Sequence, residues 1–263
     1  MAIAFGSDEY KEMIADFYGE IYLKIFEVVG RNDFYGAVGE ERVAELSKKM
    51  RLSQESHLLE ICSGIGGPAR FFARTYGCKV TGIDINEFCY QTALKKTQEA
   101  RLDHLINFVH GNGLEVPFPD GTFSHVFGCD SWLYFPNKPK LYKEVHRVLK
   151  PNGLMAFYDW TTGPSNPQRF REVMGGHQYY LESIEDYLSM INSAGFEIVE
   201  HQDTLEYAIN DWFMVIYEAT RKREGILSSI DRDVFLLYLE GLLEVSKDFM
   251  TGQAGHHYFI AKK

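Results

Sequence analysis

Short apolar segments alternate with amphipathic ones from residue 57 to residue 158, and this alternation constrains the fold more than any other feature of the sequence. The short segments have the composition of buried strands, and the longer ones repeat apolar residues at helical spacing. Strands separated by helices pair in parallel, and the helices then cover both faces of the sheet. The sequence therefore predicts an α/β fold with a parallel sheet between two helical layers.

The same pattern assigns the individual elements. Strands are expected at residues 57–62, 79–83, 106–110, 124–129, 154–158, 196–202 and 257–261, with a turn at 150–153. Helices are expected at residues 8–29, 40–50, 68–76, 87–100, 138–149, 183–194, 208–223 and 231–250. The last two helices form an insertion before the final strand, which makes them the natural lid over a substrate.

Composition and charge exclude several classes of protein. The 263 residues are 45% hydrophobic and 24% charged, which fits a globular domain. The net charge of −10 argues against a nucleic-acid surface, because such a surface needs clustered Lys and Arg. The four cysteines form no CxxC pair and no zinc spacing, so no metal site is expected. No signal peptide or membrane span is recognisable, and we expect a cytoplasmic protein.

A glycine-rich turn follows the first strand. Gly64 and Gly66 let a ligand approach the backbone, and Pro68 suits the first turn of a helix that offers free N–H groups. Asp84 ends the next strand, at the distance where an acidic residue meets ribose hydroxyls in nucleotide-binding units. Gly64-x-Gly66-x-x-Ala69 also satisfies the dinucleotide fingerprint, and a turn without a ligand gives the same pattern. These residues alone leave the three interpretations open.

Further motifs resemble one family. Glu60 ends the first strand, and it is followed by Gly-Asn-Gly at 111–113, Val-Pro-Phe-Pro-Asp-Gly-Thr-Phe at 116–123 and Leu-Lys-Pro-Asn-Gly at 149–153. In this order and spacing they resemble the class I S-adenosylmethionine-dependent methyltransferases over residues 58–159. The resemblance implies a Rossmann-like sheet of seven mostly parallel strands with an antiparallel last strand, helices on both faces, N-terminal helices and a helical insertion before the last strand.

The resemblance also implies how the chain is organised and what it binds. A single domain at 1–263 would comprise an N-terminal helical cap at 1–52, a cofactor-binding core at 53–160, and substrate-side helices and last strands at 161–263. The cofactor would be S-adenosyl-L-methionine, which leaves as S-adenosyl-L-homocysteine. Its assigned contacts are Tyr35, Glu60, Ser63, Gly64, Gly66, Asp84, Ile85, Asn112, Gly113 and Asp130.

The family gives these residues separate roles. The glycine turn would face the methionine part of the cofactor, and Asp84 would hold the ribose hydroxyls. Ile85 would pack on the adenine, Asn112 would accept a hydrogen bond from the adenine amine, and Gly113 would donate its backbone N–H. For Glu60 the alternative is an acid that caps or stabilises the turn.

The stretch from Phe127 to Phe135 resembles small-amine N-methyltransferases, namely the phosphoethanolamine and the glycine, sarcosine and dimethylglycine enzymes. The likeness implies Asp130 near the transferred methyl group, and Tyr134 where that family has His. Catalytic roles are assigned to Tyr18, Asp130, Tyr134 and His177, and substrate contacts to Trp132, Trp160, Tyr179 and Tyr180. His177 and Gln178 replace the basic residues that a phosphate needs, which argues against a phosphorylated substrate.

Aromatic residues favour an amine acceptor on physical grounds. They make up 14% of the chain, and many fall in segments that should border the pocket, where aromatic faces attract ammonium groups. We therefore expect methyl transfer to the nitrogen of a small molecule, without a nucleic-acid partner, and a homodimer is left open. The alternatives are O- or C-methylation of an aromatic or isoprenoid-like metabolite, an NAD-dependent oxidoreductase, and a non-catalytic binding module.

Overall fold

The computed structural model describes residues 18–31, 33–36, 38–165 and 179–263. Its strands are β1 (His57–Ile61), β2 (Lys79–Asp84), β3 (Ile106–His110), β4 (Phe123–Cys129), β5 (Leu149–Thr162), β6 (Glu197–Asp203) and β7 (Ala254–Lys262). They form a seven-stranded sheet in the order β3-β2-β1-β4-β5-β7-β6. The strands from β3 to β5 pair in parallel, and β7 pairs antiparallel with both β5 and β6. The predicted fold class is confirmed.

Helices flank this sheet. They are α1 (Glu20–Val29), α2 (Glu40–Lys49), α3 (Gly67–Tyr76), α4 (Glu87–Glu99), α5 (Lys138–Val148), α6 (Ile184–Ser193), α7 (Leu205–Arg221), α8 (Arg223–Leu227) and α9 (Arg232–Met250). The helix expected at 8–29 is observed as α1, and residues 8–17 lie outside the described residues. Helices α7 to α9 form the expected insertion before β7. Within the described ranges, every helix is too short or too polar to cross a membrane.

Successive residues of the strands supply two separate apolar cores, as the pleat of a sheet requires. On one face, Leu59 of β1 packs in a cluster with Phe157 and Phe259. On the other face, the preceding residue Leu58 packs in a cluster with Phe127. The sheet is therefore buried on both sides, which is why its central strands read as nearly continuous apolar segments.

The turn expected at 150–153 is part of β5. Phe123 of β4 pairs with Leu149, and the next pair joins His125 to Leu154, so the extra residues bulge out of the strand. Asn152 adopts a left-handed backbone with φ of 64° inside this bulge, and its N–H donates to the carbonyl of Lys263 at 3.1 Å. The turn expected from the sequence is thus present, but its hydrogen bond to the residue after β7 keeps it within the sheet.

The helical insertion packs on α1 and on the end of β5. Trp212 of α7, Val245 and Phe249 of α9, Phe26 of α1 and Trp160 of β5 belong to one buried apolar cluster. This cluster lies beyond the carboxyl ends of the parallel strands, where ligands bind in open α/β sheets. The insertion therefore covers the edge of the sheet at which a site is expected.

Gly67, the first residue of α3, allows the segment at 33–36 to pack against the glycine turn. A Cβ atom at this position would lie 1.7 Å from the backbone oxygen of Asp33, whose carboxylate also pairs with the buried Arg70 at 2.8 Å. We expect Gly67→Ala to lower the free energy of unfolding, measured by urea denaturation, by about 1–3 kcal/mol, because the backbone must move.

Gly225→Ala is the control. Its new Cβ makes an ordinary 3.6 Å contact, so the free energy of unfolding should not fall.

Asp159 links β5 to the segment after β4. Its carboxylate accepts hydrogen bonds from the Leu133 N–H at 3.0 Å and the Tyr187 hydroxyl at 2.5 Å, and burial raises its pKa to about 6. The folded state therefore holds this proton more tightly than the unfolded chain does. As the pH rises from about 4 to about 6, this group alone should remove on the order of 2–3 kcal/mol of stability.

Asp159→Asn removes that titration but keeps an acceptor for the Leu133 N–H and an amide donor for the Tyr187 oxygen. Urea denaturation of both proteins between pH 4 and 7 measures the effect. The stability of the wild type relative to the variant should fall as the pH rises. A difference that does not change with pH would contradict the assignment.

Candidate active site

A cavity of about 570 Å³ opens at the carboxyl ends of the parallel strands. Its inner wall consists of the segments that follow β1 to β4, and α1, α7 and α9 supply the outer wall. From the strand ends the lining residues are Cys62, Gly64, Asp84, Ile85, Asn86, Gly111, Asn112, Gly113, Cys129, Asp130 and Ser131. The structure therefore brings together residues from four separate segments that sequence analysis had singled out.

The glycine turn after β1 is built from left-handed residues. Gly64 has φ of 51° and Gly66 has φ of 78°, and Cys62 adopts φ of 60° despite its side chain. A Cβ atom on Gly66 would lie 2.6 Å from the ring of Phe108. Gly64 reaches the cavity wall, whereas Ser63 and Gly66 lie behind it, joined by the hydrogen bond from the Gly66 N–H to the Ser63 carbonyl.

The Asp84 carboxylate faces the cavity from the end of β2 and ties the turn to that strand. One oxygen accepts the Gly64 N–H at 2.7 Å, and the other accepts the Asn86 N–H at 2.9 Å. Burial raises the pKa of this carboxyl, while the two N–H groups act in the opposite direction. Each carboxylate oxygen keeps a second lone pair, so hydroxyl donors of a ligand can still bind.

Glu60 does not reach the cavity. Its side chain is buried beneath the turn, where one oxygen interacts with the Ala69 N–H in the first turn of α3 and Oε2 has no hydrogen-bond partner. Burial raises its pKa well above the usual range. The position fits the alternative weighed from the sequence, an acid that stabilises the turn and the start of the helix.

Asp130, which directly follows β4, is an acidic residue of the inner wall with a hydrogen-bonded carboxylate. Its backbone is left-handed with φ of 46°, and its Oδ1 lies 2.9 Å from Nε2 of His256 on β7. The His256 ring is buried, and its Nδ1 lies 2.6 Å from the Thr204 hydroxyl. Oδ2 of Asp130 is buried without a hydrogen-bond partner, and Asp130 is one of the residues that line the cavity.

Sequence analysis missed His256 and Thr204. The only signal in the sequence was a pair of adjacent histidines in the final strand. Neighbouring residues of a strand point to opposite faces of the sheet, so the two histidines must meet different partners. His257 indeed interacts elsewhere, with the hydroxyl of Thr161 at 3.2 Å.

Aromatic side chains form the wall opposite the strand ends. The hydroxyls of Tyr18 and Tyr134 share a short hydrogen bond, and Tyr18 stacks on Tyr35 with 6.0 Å between ring centroids. Tyr179 packs edge-on against both Tyr134 and Trp160, each at 5.3 Å. Burial raises the pKa of Tyr18 and Tyr134 well above the usual range and that of Tyr179 to about 12. These phenols are therefore protonated donors at neutral pH.

Two of the expected substrate residues lie outside the cavity. Trp132, predicted as a substrate contact, is fully buried in the sheet core, where its ring stacks on Phe157 at 4.2 Å, and it does not line the cavity. Tyr180 does not line the cavity either, although its backbone N–H donates to the carbonyl of the lining residue Leu133 at 2.7 Å. His177, expected as a catalytic residue, falls outside the described residues.

The charges on the described lining residues have one sign. Among the described residues that line it, the ionisable acids are Asp84, Asp130, Glu240 and Glu244, and no Lys, Arg or His is present. The described ranges also contain no cluster of His, Cys, Asp and Glu that could hold a metal ion. The arrangement favours ligands that carry positive charge.

Comparisons with known proteins agree with this geometry. Residues 59–157 match a family model described as a methyltransferase domain. A sarcosine/dimethylglycine N-methyltransferase of Halorhodospira halochloris is 30% identical over 196 residues, which cover 71% of this chain and 67% of that protein. The 24-methylenesterol C-methyltransferase 3 of Arabidopsis thaliana is 28% identical over 222 residues, covering 78% of this chain and 60% of that protein. The chain spans about half the length of the curated sterol methyltransferases that it matches.

The fold has close solved counterparts. The structure of phosphoethanolamine N-methyltransferase 2 from Haemonchus contortus, in complex with phosphomonomethylethanolamine and S-adenosylhomocysteine, superposes with a TM-score of 0.87 at 19% identity. The match covers 96% of this chain and 59% of that one. Strand order, glycine turn, family model and relatives agree, and the chain belongs to the class I S-adenosylmethionine-dependent methyltransferases.

Proposed function

We propose that the protein transfers a methyl group from S-adenosylmethionine to the nitrogen of a small amine. One observation carries the choice of acceptor: Asp130, whose buried Oδ2 has no hydrogen-bond partner, lines an aromatic-walled cavity whose described lining contains no basic side chain. A carboxylate and aromatic faces are the groups that hold an ammonium ion. An anionic acceptor would find no opposite charge on these residues.

The inner wall fits the cofactor. Asp84 would accept the ribose hydroxyls, Ile85 would pack on the adenine, and Asn112 and Gly113 would hold the adenine edge. Gly64 leaves the backbone open to the methionine part, since glycine has no side chain and tolerates the left-handed conformation of this turn. Tyr35 and Tyr18 would cover the bound molecule. When bound, S-adenosylmethionine supplies a methyl group on a positively charged sulfur.

Asp130 and the tyrosine pair have distinct tasks in this proposal. The Asp130 oxygen would orient the acceptor nitrogen by charge and hydrogen bonding, and Tyr134 and Tyr179 would enclose it. Nitrogen must carry a free lone pair, so a protonated primary or secondary amine has to lose a proton first. Asp130 is the nearest anionic acceptor for that proton, whereas the phenols, with their raised pKa, would donate hydrogen bonds. A protonated tertiary amine must lose its proton in the same way, and only the free base needs nothing but positioning.

A cytoplasmic location is part of the proposal. Its support is that Cys62, Cys78, Cys89 and Cys129 are all free thiols, two of them fully buried. Free cysteines are typical of proteins from reducing compartments.

A second candidate is C-methylation of an apolar, isoprenoid-like compound. The specific observation in its favour is that Leu237 and Ile21 line the cavity and are exposed at its opening. Several relatives are named as sterol C-methyltransferases. Methylation of a prenyl compound with no turnover of any amine would favour this candidate.

The cofactor assignment is tested by isothermal titration calorimetry. We expect the wild type to bind S-adenosylhomocysteine and to bind NAD far more weakly. Asp84→Asn should weaken S-adenosylhomocysteine binding by about 2–3 kcal/mol, because hydrogen bonds to a charged acceptor are lost. Asp103→Asn, at an exposed position before β3, should leave the affinity unchanged. Preferential binding of NAD, or an unaltered affinity in Asp84→Asn, would overturn the assignment.

The role of His256 is tested by methyl-transfer kinetics. His256→Phe removes the donor that fixes Asp130, and we expect kcat/KM for the amine to fall by about 10- to 100-fold, the effect of losing one charge-assisted hydrogen bond. His256→Gln retains an N–H donor and should recover part of this activity. His257→Gln changes the adjacent residue, which contacts Thr161 instead, and should behave as the wild type. Equal losses in the 256 and 257 variants would argue against positioning by His256.

A further inference from the structure

The opening of the cavity is apolar, although it is in contact with water. Ile21 of α1 is 46% exposed, and Val234 and Leu237 of α9 are 36% and 66% exposed. All three line the cavity. We refer to Ile21, Val234 and Leu237 as the apolar mouth.

Two of the three residues of the apolar mouth lie on the cavity-facing side of α9. Val234 and Leu237 are three residues apart, so they share one face of the helix. The neighbouring Leu236 is 48% exposed but does not line the cavity. Single exposed leucines are common on protein surfaces and need no explanation. Three apolar side chains around one ligand opening are different, because a ligand that covers them gains hydrophobic stabilisation.

The charges near the mouth restrict what that ligand can be. Glu240 and Glu244 line the cavity from the same helix, and both are exposed. A third acid, the less exposed Asp130, also lines the cavity, and its buried Oδ2 has no hydrogen-bond partner. None of the described lining residues is basic. A ligand with a carboxylate or phosphate would therefore meet repulsion, both while entering and when bound.

The lining residues differ in exposure. Asp130, Tyr134, Tyr179 and Trp160, which we call the inner end, are buried or half-buried, whereas the three residues of the apolar mouth are exposed. An amine small enough to lie wholly at the inner end would leave the mouth solvated. We infer that the mouth is a subsite for the hydrocarbon part of the methyl acceptor, which is an amine with an alkyl or aryl group and no anionic group.

The inference rests on the proposed amine methylation, but it separates this chain from the acceptors in its relatives' names. Sarcosine and dimethylglycine carry a carboxylate, and phosphomonomethylethanolamine carries a phosphate. The same subsite accounts for the apolar opening, which C-methylation of an isoprenoid-like compound was invoked to explain. One acceptor class thus satisfies both the acidic interior and the apolar opening.

Binding of quaternary ammonium ions tests the subsite without requiring turnover. We would titrate tetramethylammonium, octyltrimethylammonium and octyl sulfate into the protein by calorimetry, with and without S-adenosylhomocysteine. We expect octyltrimethylammonium to bind at least about tenfold more tightly than tetramethylammonium, and octyl sulfate not to bind, because both the chain and the positive charge contribute. Equal affinities for the two cations, or equal binding of octyl sulfate, would overturn the inference.

Two neighbouring leucines provide matched variants. Leu237→Ser should weaken octyltrimethylammonium binding by roughly five- to tenfold and leave tetramethylammonium binding unchanged, because it removes one apolar wall of the mouth. Leu236→Ser makes the same change on an exposed residue outside the cavity and should alter neither affinity. If both variants lose affinity equally, the effect is general and the mouth is not a subsite.

Two further measurements separate this inference from its alternatives. If binding follows the expected order but neither N,N-dimethyloctylamine nor N,N-dimethylethylamine is methylated, the subsite stands and the proposed amine methylation fails. If amines are methylated but chain length does not affect KM, the proposed amine methylation stands and the subsite fails.

Analytical ultracentrifugation tests a second copy of the chain as the occupant of the apolar mouth. A wild-type dimer that becomes monomeric in Leu237→Ser would make the mouth an interface and overturn the inference.

Discussion

The hydrogen bond from the Gly64 N–H to the Asp84 carboxylate joins the turn after β1 to the end of β2, and the geometry of the inner wall depends on it. It fixes an acidic group beside a backbone that carries no side chain. The same carboxylate accepts the Asn86 N–H, and the side chain of Asn86 caps α4 by accepting the Cys89 N–H at 3.2 Å. One carboxylate thus aligns the turn, a strand end and the start of a helix before any ligand binds.

This alignment has an electrostatic cost that a ligand can offset. Glu60 is buried and Asp84 is half-buried near the turn, and the loss of hydration raises the pKa of each carboxyl. Arg70, buried beneath the same turn, lowers the pKa of Glu60 and pairs with Asp33. A sulfonium ligand would bring positive charge into this acidic environment and so offset the cost of burying these carboxylates. Acidity at the site is thus consistent with a cationic cofactor.

The sequence predicted the part of the site that is local in the chain. The glycine turn, Asp84, Asn112 and Asp130 each follow a strand, and parallel strands end at one edge of the sheet, so their proximity follows from the alternation alone. Contacts between distant elements could not be predicted this way. His256 meets Asp130 only because β7 runs antiparallel beside β5, which in turn pairs with β4. Nothing in the spacing of residues 130 and 256 indicates that meeting.

The position of Trp132 outside the cavity has a related cause. Trp132 and Leu133 are adjacent in a 3-10 turn, yet Trp132 enters the sheet core and Leu133 reaches the cavity. Alternating directions over so short a segment cannot be assigned from residue type, because an aromatic ring suits either environment. The Leu133 N–H donates to the buried carboxylate of Asp159, which fixes the backbone of this segment. A core carboxylate therefore positions the cavity-lining segment after β4 although Asp159 does not itself line the cavity.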